Sequence, residues 1–200
     1  MLRRIGGLAT ALLLASLLQA QSSPVRTSSS LSSTAVAGSL DLSGKSANPF
    51  AMAGGKPLVL IFVRTDCPVS NRYAPTIQAL NKKYSSEALM VLVYPDKTET
   101  PPTIEKHLHD YGYQATALRD TQHGLVKLSK VEITPEAAVF NGNGELIYHG
   151  RIDNWYKDFG HARPAPTTHE LDGAIQAALN SSHAAPASVS GVGCYISDLQ

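Results

Sequence analysis

The sequence predicts an α/β domain in which a central mixed β-sheet is flanked by helices. Three observations carry this. The runs Pro57-Leu-Val-Leu-Ile-Phe-Val63 and Ala88 to Tyr94 are continuously apolar, as strands buried on both faces are. Segments with apolar residues at helical spacing alternate with them. Toward the C-terminal half, Ala137 to Phe140 and Glu145 to His149 flank the turn residues Asn141-Gly-Asn-Gly144, which is the pattern of a β-hairpin. Strands alternating with helices and closed by a hairpin make a layered fold.

The elements follow in order. Met1 to Ala20 has a basic start (Arg3, Arg4), an uncharged apolar stretch from Ile5 to Leu18 and a small residue at Ala20. This is the pattern of a secretory signal peptide, and its apolar stretch is short against the ~20 residues that span a bilayer. Residues 21–37 are a Ser-rich flexible leader, and the domain is expected over 38–181. Leu40 to Lys45 reads as a short strand and turn, and Gly54-Gly55 punctuates before the first strong strand. From Pro68 a helix is expected, with Tyr73, Ile77, Leu80 and Tyr84 along one side. Pro101-Pro102 opens another through about Tyr111, ended by Gly112. A short strand near Ala115 to Arg119 and a helix near Gln122 to Lys130 precede the hairpin. Residues 151–167 have no periodicity and form an excursion. Thr168 to Asn180 is the last helix, capped by Thr167 or Thr168, with Leu171, Ile175, Ala178 and Leu179 as its buried side. Residues 182–200 form a small, polar tail until Val192-Gly-Cys-Tyr-Ile196.

Composition narrows the function classes. The chain has 17 basic and 16 acidic residues, a formal net charge of +1. Loss of Arg3 and Arg4 with the signal peptide makes it −1, so no basic field for nucleic acid remains. No stable membrane anchor is expected after cleavage. Two cysteines exclude a disulfide-scaffolded miniprotein and a four-thiolate zinc site. They allow one disulfide or one reactive thiol with a partner, in a periplasmic or extracellular compartment where disulfides persist.

Cys67 falls after the buried strand and before the helix, in Thr65-Asp66-Cys67-Pro68-Val69-Ser70. Pro68 suits the first helical position. The sulfur then meets the positive end of the helix and its free N–H groups, which favour the reactive thiolate. Ser70 is placed to hydrogen-bond the sulfur, and Arg64 and Thr65 belong to the same candidate thiolate-stabilising set. Asp66 opposes it unless Arg64 or Arg72 neutralises the carboxylate.

This arrangement resembles the thioredoxin superfamily, in particular its secreted redoxin, or alkyl-hydroperoxide-reductase/thiol-specific-antioxidant, branch. The strand PLVLIFV runs into Cys67-Pro-Val-Ser70, at the place of the family's Cys-x-x-Cys. Pro75 resembles the proline that kinks the active-site helix, and Thr134-Pro135 resembles the cis-proline loop facing the cysteine. The hairpin and last helix follow in the family's order. The 68 positions between Cys67 and Pro135 leave room for the strand–helix insertion of redoxins. The resemblance implies an enzyme: a thiol-dependent oxidoreductase with antioxidant activity, acting on a protein disulfide or a hydroperoxide. Catalysis would rest on Cys67 and Cys194, substrate would bind at Thr134 and Pro135, and an external thiol reductant would recycle the pair. No cofactor or metal is implied. Ser70 stands where a dithiol enzyme has its second cysteine. Arg64 and Leu60 occupy the places of the peroxiredoxin threonine and proline, so the peroxide-activating pattern is incomplete.

Three roles stay open for Cys194. It can resolve an intermediate on Cys67, form a permanent staple, or pair between molecules. An intramolecular bridge would close 127 positions, worth ~5 kcal/mol in the chain-entropy model. Two alternatives to the enzyme remain. One is a copper-binding metallochaperone using thiolate with His149, His161 or His169. The other is a non-catalytic binding domain with a structural Cys67–Cys194 disulfide.

Overall fold

The structure, a computed structural model, describes residues 38–180 and 183–197. The expected signal peptide (1–20) and Ser-rich leader (21–37) lie outside the described residues. A five-stranded sheet is built from β1 (Leu58–Phe62), β2 (Leu89–Tyr94), β3 (Thr116–Arg119), β5 (Glu136–Phe140) and β6 (Leu146–Gly150), in the order β3-β2-β1-β5-β6. Strands β1, β2 and β3 are parallel, and β5 and β6 add antiparallel neighbours on the other side of β1. The central β1 is buried on both faces, as its unbroken apolar run requires.

Alternation along β1 divides the core. Val59, Ile61 and Val63 face one layer, with Tyr73, Ile77, Ile104, Leu171 and Ile175. Tyr73 stands at the joint between α2 (Pro68–Arg72) and α3 (Ala74–Tyr84), and the others come from α3, α4 (Pro101–Asp110) and α6 (Glu170–Leu179). Leu58, Leu60 and Phe62 face the other layer, with Ala53, Leu125 and Val126 from α1 (Pro49–Ala53) and α5 (Gly124–Ser129). This is the thioredoxin-like arrangement expected from the sequence.

Several boundaries differ from expectation for local reasons. The helix from Pro68 is two segments meeting at Tyr73, because Pro75 has no N–H to continue the ladder. Helix α1 was not foreseen; Asn48 caps it by accepting from the Phe50 and Ala51 amides, and Gly54 ends it at φ 58°. Helix α5 starts late because His123 is left-handed at φ 57°. Helix α6 starts at Glu170 with His169 at its N-cap, not Thr167 or Thr168. The Thr168 hydroxyl instead donates to Glu170 at 2.7 Å.

Three further pieces surround the site. Strand β4 (Ile133–Thr134) immediately precedes β5, and Thr134–Pro135 between them is a cis peptide. The excursion carries a small hairpin of β7 (Tyr156–Asp158) and β8 (His161–Ala162). The tail carries β9 (Cys194–Tyr195), which pairs antiparallel with β4, Thr134 opposite Cys194 and Ile133 opposite Tyr195. No described helix is long and apolar enough to cross a membrane.

Candidate active site

Residues 64–67 turn the chain from the end of β1 into α2. Cys67 occupies the N-cap with extended backbone (φ −81°, ψ 110°), and its carbonyl accepts from the Asn71 amide at 3.0 Å. Its side chain is 0% exposed. Both cysteines are free thiols. Sγ lies 3.2 Å from the Thr134 carbonyl oxygen, across the cis-proline loop.

Burial alone would raise the Cys67 pKa. It is outweighed by hydrogen bonds from the Cys194 thiol, the Ser70 backbone and hydroxyl and Thr134, so the thiol is shifted below its ordinary value. No formal cap bond closes at Cys67. The Ser70 amide and hydroxyl nevertheless face the sulfur near enough to favour the anion, and that buried hydroxyl has no other partner. Cys194 moves the opposite way. Burial, its hydrogen bond to Cys67 and the charge of Cys67 all hold its proton on, with Arg64 opposing. The two sulfurs are therefore pushed in opposite directions, Cys67 toward easier and Cys194 toward harder ionisation.

Arg64 and Thr65 shape the loop that precedes the cysteine. The Arg64 guanidinium lies 3.0 Å from both Asp66 and Asp96, which answers the charge of Asp66. The Thr65 amide donates to Glu99 at 2.6 Å, and its carbonyl accepts from the Asn71 side chain at 3.0 Å. Arg72 does not meet Asp66; it lies over the Trp155 ring at 5.3 Å. Thr134 is fully buried, and its hydroxyl donates to the Cys194 carbonyl at 3.2 Å.

The excursion packs against this end of the domain. The Tyr73 hydroxyl donates to Asp153 at 2.6 Å, the Trp155 amide donates to the same oxygen at 2.8 Å, and the Trp155 ring meets Tyr73 edge-on. The three histidines do not gather at the thiols. His149 lies on β6, His161 is exposed beside Asp158, and His169 begins α6. Among the described residues no group of three or more His, Cys, Asp or Glu could hold a metal ion.

Sequence reasoning missed four residues here. Glu136, only 3% exposed, clasps the tail. Glu99 holds the Thr65 amide, and Asn71 and His107 brace the same loop. One signal was available for Glu136: a carboxylate directly after Thr134-Pro135 and before Ala-Ala-Val-Phe is out of place in a core strand unless it has donors.

The AhpC/TSA family model matches residues 37–149. The chain belongs to the AhpC/TSA family. The match takes in Cys67, Ser70 and the Thr134–Pro135 loop and ends before the tail, so Cys194 lies beyond the part this AhpC/TSA domain shares with the family model. Membership makes thiol oxidoreduction its reaction class. No curated protein sequence matches it. Solved structures show the same fold. A hypothetical protein from Sinorhizobium meliloti 1021 is similar at 20% identity and TM-score 0.65, over 78% of this chain and 87% of that one. An uncharacterized conserved protein from Geobacillus kaustophilus is similar at 18% identity and TM-score 0.67, over 78% and 85%. An uncharacterized thioredoxin-like protein from Porphyromonas gingivalis is similar at 18% identity and TM-score 0.54, over 72% and 90%.

Proposed function

We propose that the protein is a secreted two-cysteine oxidoreductase in which Cys67 is the nucleophile and Cys194 the resolving thiol. The observation that carries this reading is that the β4–β9 pairing sets Cys194 opposite Thr134, whose carbonyl oxygen lies 3.2 Å from Cys67 Sγ beside the cis-proline loop. With a disulfide substrate, the Cys67 thiolate attacks one sulfur and releases the other as a thiolate. Cys194 then attacks the Cys67 sulfur, forming the Cys67–Cys194 disulfide and expelling the second thiol; its own proton goes to a departing sulfur. With a hydroperoxide, Cys67 takes the distal oxygen, alcohol leaves, and Cys194 displaces hydroxide from the sulfenic acid to give the same disulfide. An external thiol reductant restores both thiols. The charge of Cys67 keeps Cys194 protonated beforehand, and oxidation of Cys67 removes that charge, so the resolving thiol ionises more readily when it is needed.

The basic and apolar pattern of residues 1–20 supports export to an oxidising compartment, which mass analysis of the mature N-terminus would test. The chemistry is tested by turnover with a model disulfide and with a hydroperoxide. Cys67→Ser should abolish thiol-dependent turnover. Cys194→Ser should let a Cys67 adduct accumulate, seen by intact mass. Unchanged turnover in Cys67→Ser overturns the reading. A Cys67–Cys194 bridge that resists glutathione would instead mark a structural staple.

A further inference from the structure

We propose that Glu136 is a positioning residue: it holds the tail against the cis-proline loop so that Cys194, and not an outside thiol, meets Cys67. This rests on the reading of the two cysteines as a reacting pair. Glu136 is the residue after cis Pro135 and the first of β5, where its neighbours Ala137, Ala138, Val139 and Phe140 are core. A carboxylate there is costly unless donors surround it. It receives four hydrogen bonds, and they divide between its oxygens. Oε2 accepts from the Glu132 and Ile133 amides at 3.0 and 3.4 Å. Oε1 accepts from the Gly191 amide and the Ser190 hydroxyl at 2.6 and 3.2 Å. One oxygen thus holds the turn that leads into β4, and the other holds the tail three residues before Cys194.

The rest of the tail shows how tightly that anchor sets the sulfur. Upstream, the Val189 carbonyl accepts from the Arg151 amide at 2.8 Å; downstream, the Ile196 amide donates to the Glu132 carbonyl at 2.9 Å. Between them the backbone touches the loop. A Cβ on Gly193 would stand 1.9 Å from the Thr134 carbonyl oxygen, and one on Gly191 would stand 2.9 Å from the Pro135 oxygen. Only glycine permits that approach. Pinned in this way, Cys194 acts at high effective concentration on Cys67. An amide at 136 has a single acceptor oxygen and cannot serve both segments.

The experiment uses the full chain with Glu136→Gln and, on the tail itself, Ser190→Ala, which removes the hydroxyl that donates to Oε1. The reduced protein is equilibrated with oxidised and reduced glutathione. Two protein thiols give two electrons and two protons to one glutathione disulfide, yielding the Cys67–Cys194 bridge and two glutathione thiols. Loss of one charge-assisted hydrogen bond predicts an equilibrium constant lower by about tenfold or more. Iodoacetamide should also label Cys67 faster, since the sulfur is fully covered while the tail is docked. Both constants within about twofold of wild type overturn the proposal even if the melting temperature falls, because a purely structural clamp moves stability and not the thiol equilibrium. If Glu136→Gln does not fold, Ser190→Ala decides by the same two readouts. A wild-type chain that forms no Cys67–Cys194 bridge refutes the paired-cysteine reading, and this proposal with it. A bridge in wild type with unaffected variants refutes the role of Glu136 alone.

Discussion

His107 stands in a buried polar chain that ends at the active-site loop. Its Nδ1 lies 2.8 Å from the Tyr94 hydroxyl and its Nε2 2.9 Å from Asn71 Oδ1, while Asn71 Nδ2 donates to the Thr65 carbonyl. The amide oxygen can only accept, so Nε2 carries the proton and Nδ1 accepts from the tyrosine. A second proton on the ring has no acceptor ready for it, and burial lowers the His107 pKa to about 4. In the unfolded chain the ring titrates near 6.5, so between those values the unfolded state binds more protons. The stability contributed by neutral His107 is complete above pH 6.5 and is lost as pH falls toward 4. At 1.36 kcal/mol per pH unit, the gap amounts to ~3 kcal/mol. Urea unfolding of wild type and His107→Gln from pH 7.5 to 4 isolates this contribution, since other titrating groups cancel in the difference. The stability difference, wild type minus variant, should fall by ~3 kcal/mol across that range. A constant difference, or a ring that titrates near 6.5 by NMR in the folded protein, would refute the reasoning.

Other outcomes follow from the same geometry. Gly193→Ala drives a β-carbon into the Thr134 carbonyl; it should undo the β4–β9 pairing and slow closure of the Cys67–Cys194 bridge, read by quenched alkylation and mass analysis. Cys194→Ala removes the hydrogen bond that favours the Cys67 anion. Its Cys67 pKa, followed by thiolate absorbance, should rise relative to wild type, and an unchanged value would contradict the assigned contact. Tyr73→Phe removes the hydroxyl that Asp153 accepts and should cost ~1–3 kcal/mol in thermal or urea unfolding. Ile61→Ala, in the central strand at 0% exposure, should cost ~2–5 kcal/mol by the same measure.

Much of this arrangement was legible because the signals are local. The unbroken runs of β1 and β2 need burial on both faces, and only the middle of a layered sheet supplies it. Cys67 before Pro68 places a thiol at the start of a helix whatever the rest of the chain does. The break at Tyr73 follows from Pro75 two residues on, which has no N–H to donate to the preceding turn. By contrast, His107 looks like one of two surface histidines on α4, since nothing nearby says that Tyr94 and Asn71 will close around it. Glu136 reads as the edge of an apolar strand, because its four donors come from residues 132, 133, 190 and 191.

The two cysteines mark where reading along the chain stops. Residue order assigned Cys67 to a strand–helix junction and set it apart from Cys194, because capping, helix initiation and strand burial act over a few residues. Order could not say whether Cys194 would reach it. That was decided by β9 finding the free edge of β4, with Gly191 and Gly193 allowing backbone-to-backbone contact and Glu136 bridging segments more than fifty residues apart. Such contacts depend on loop closure and on two surfaces formed separately, so they exist only once the domain has folded.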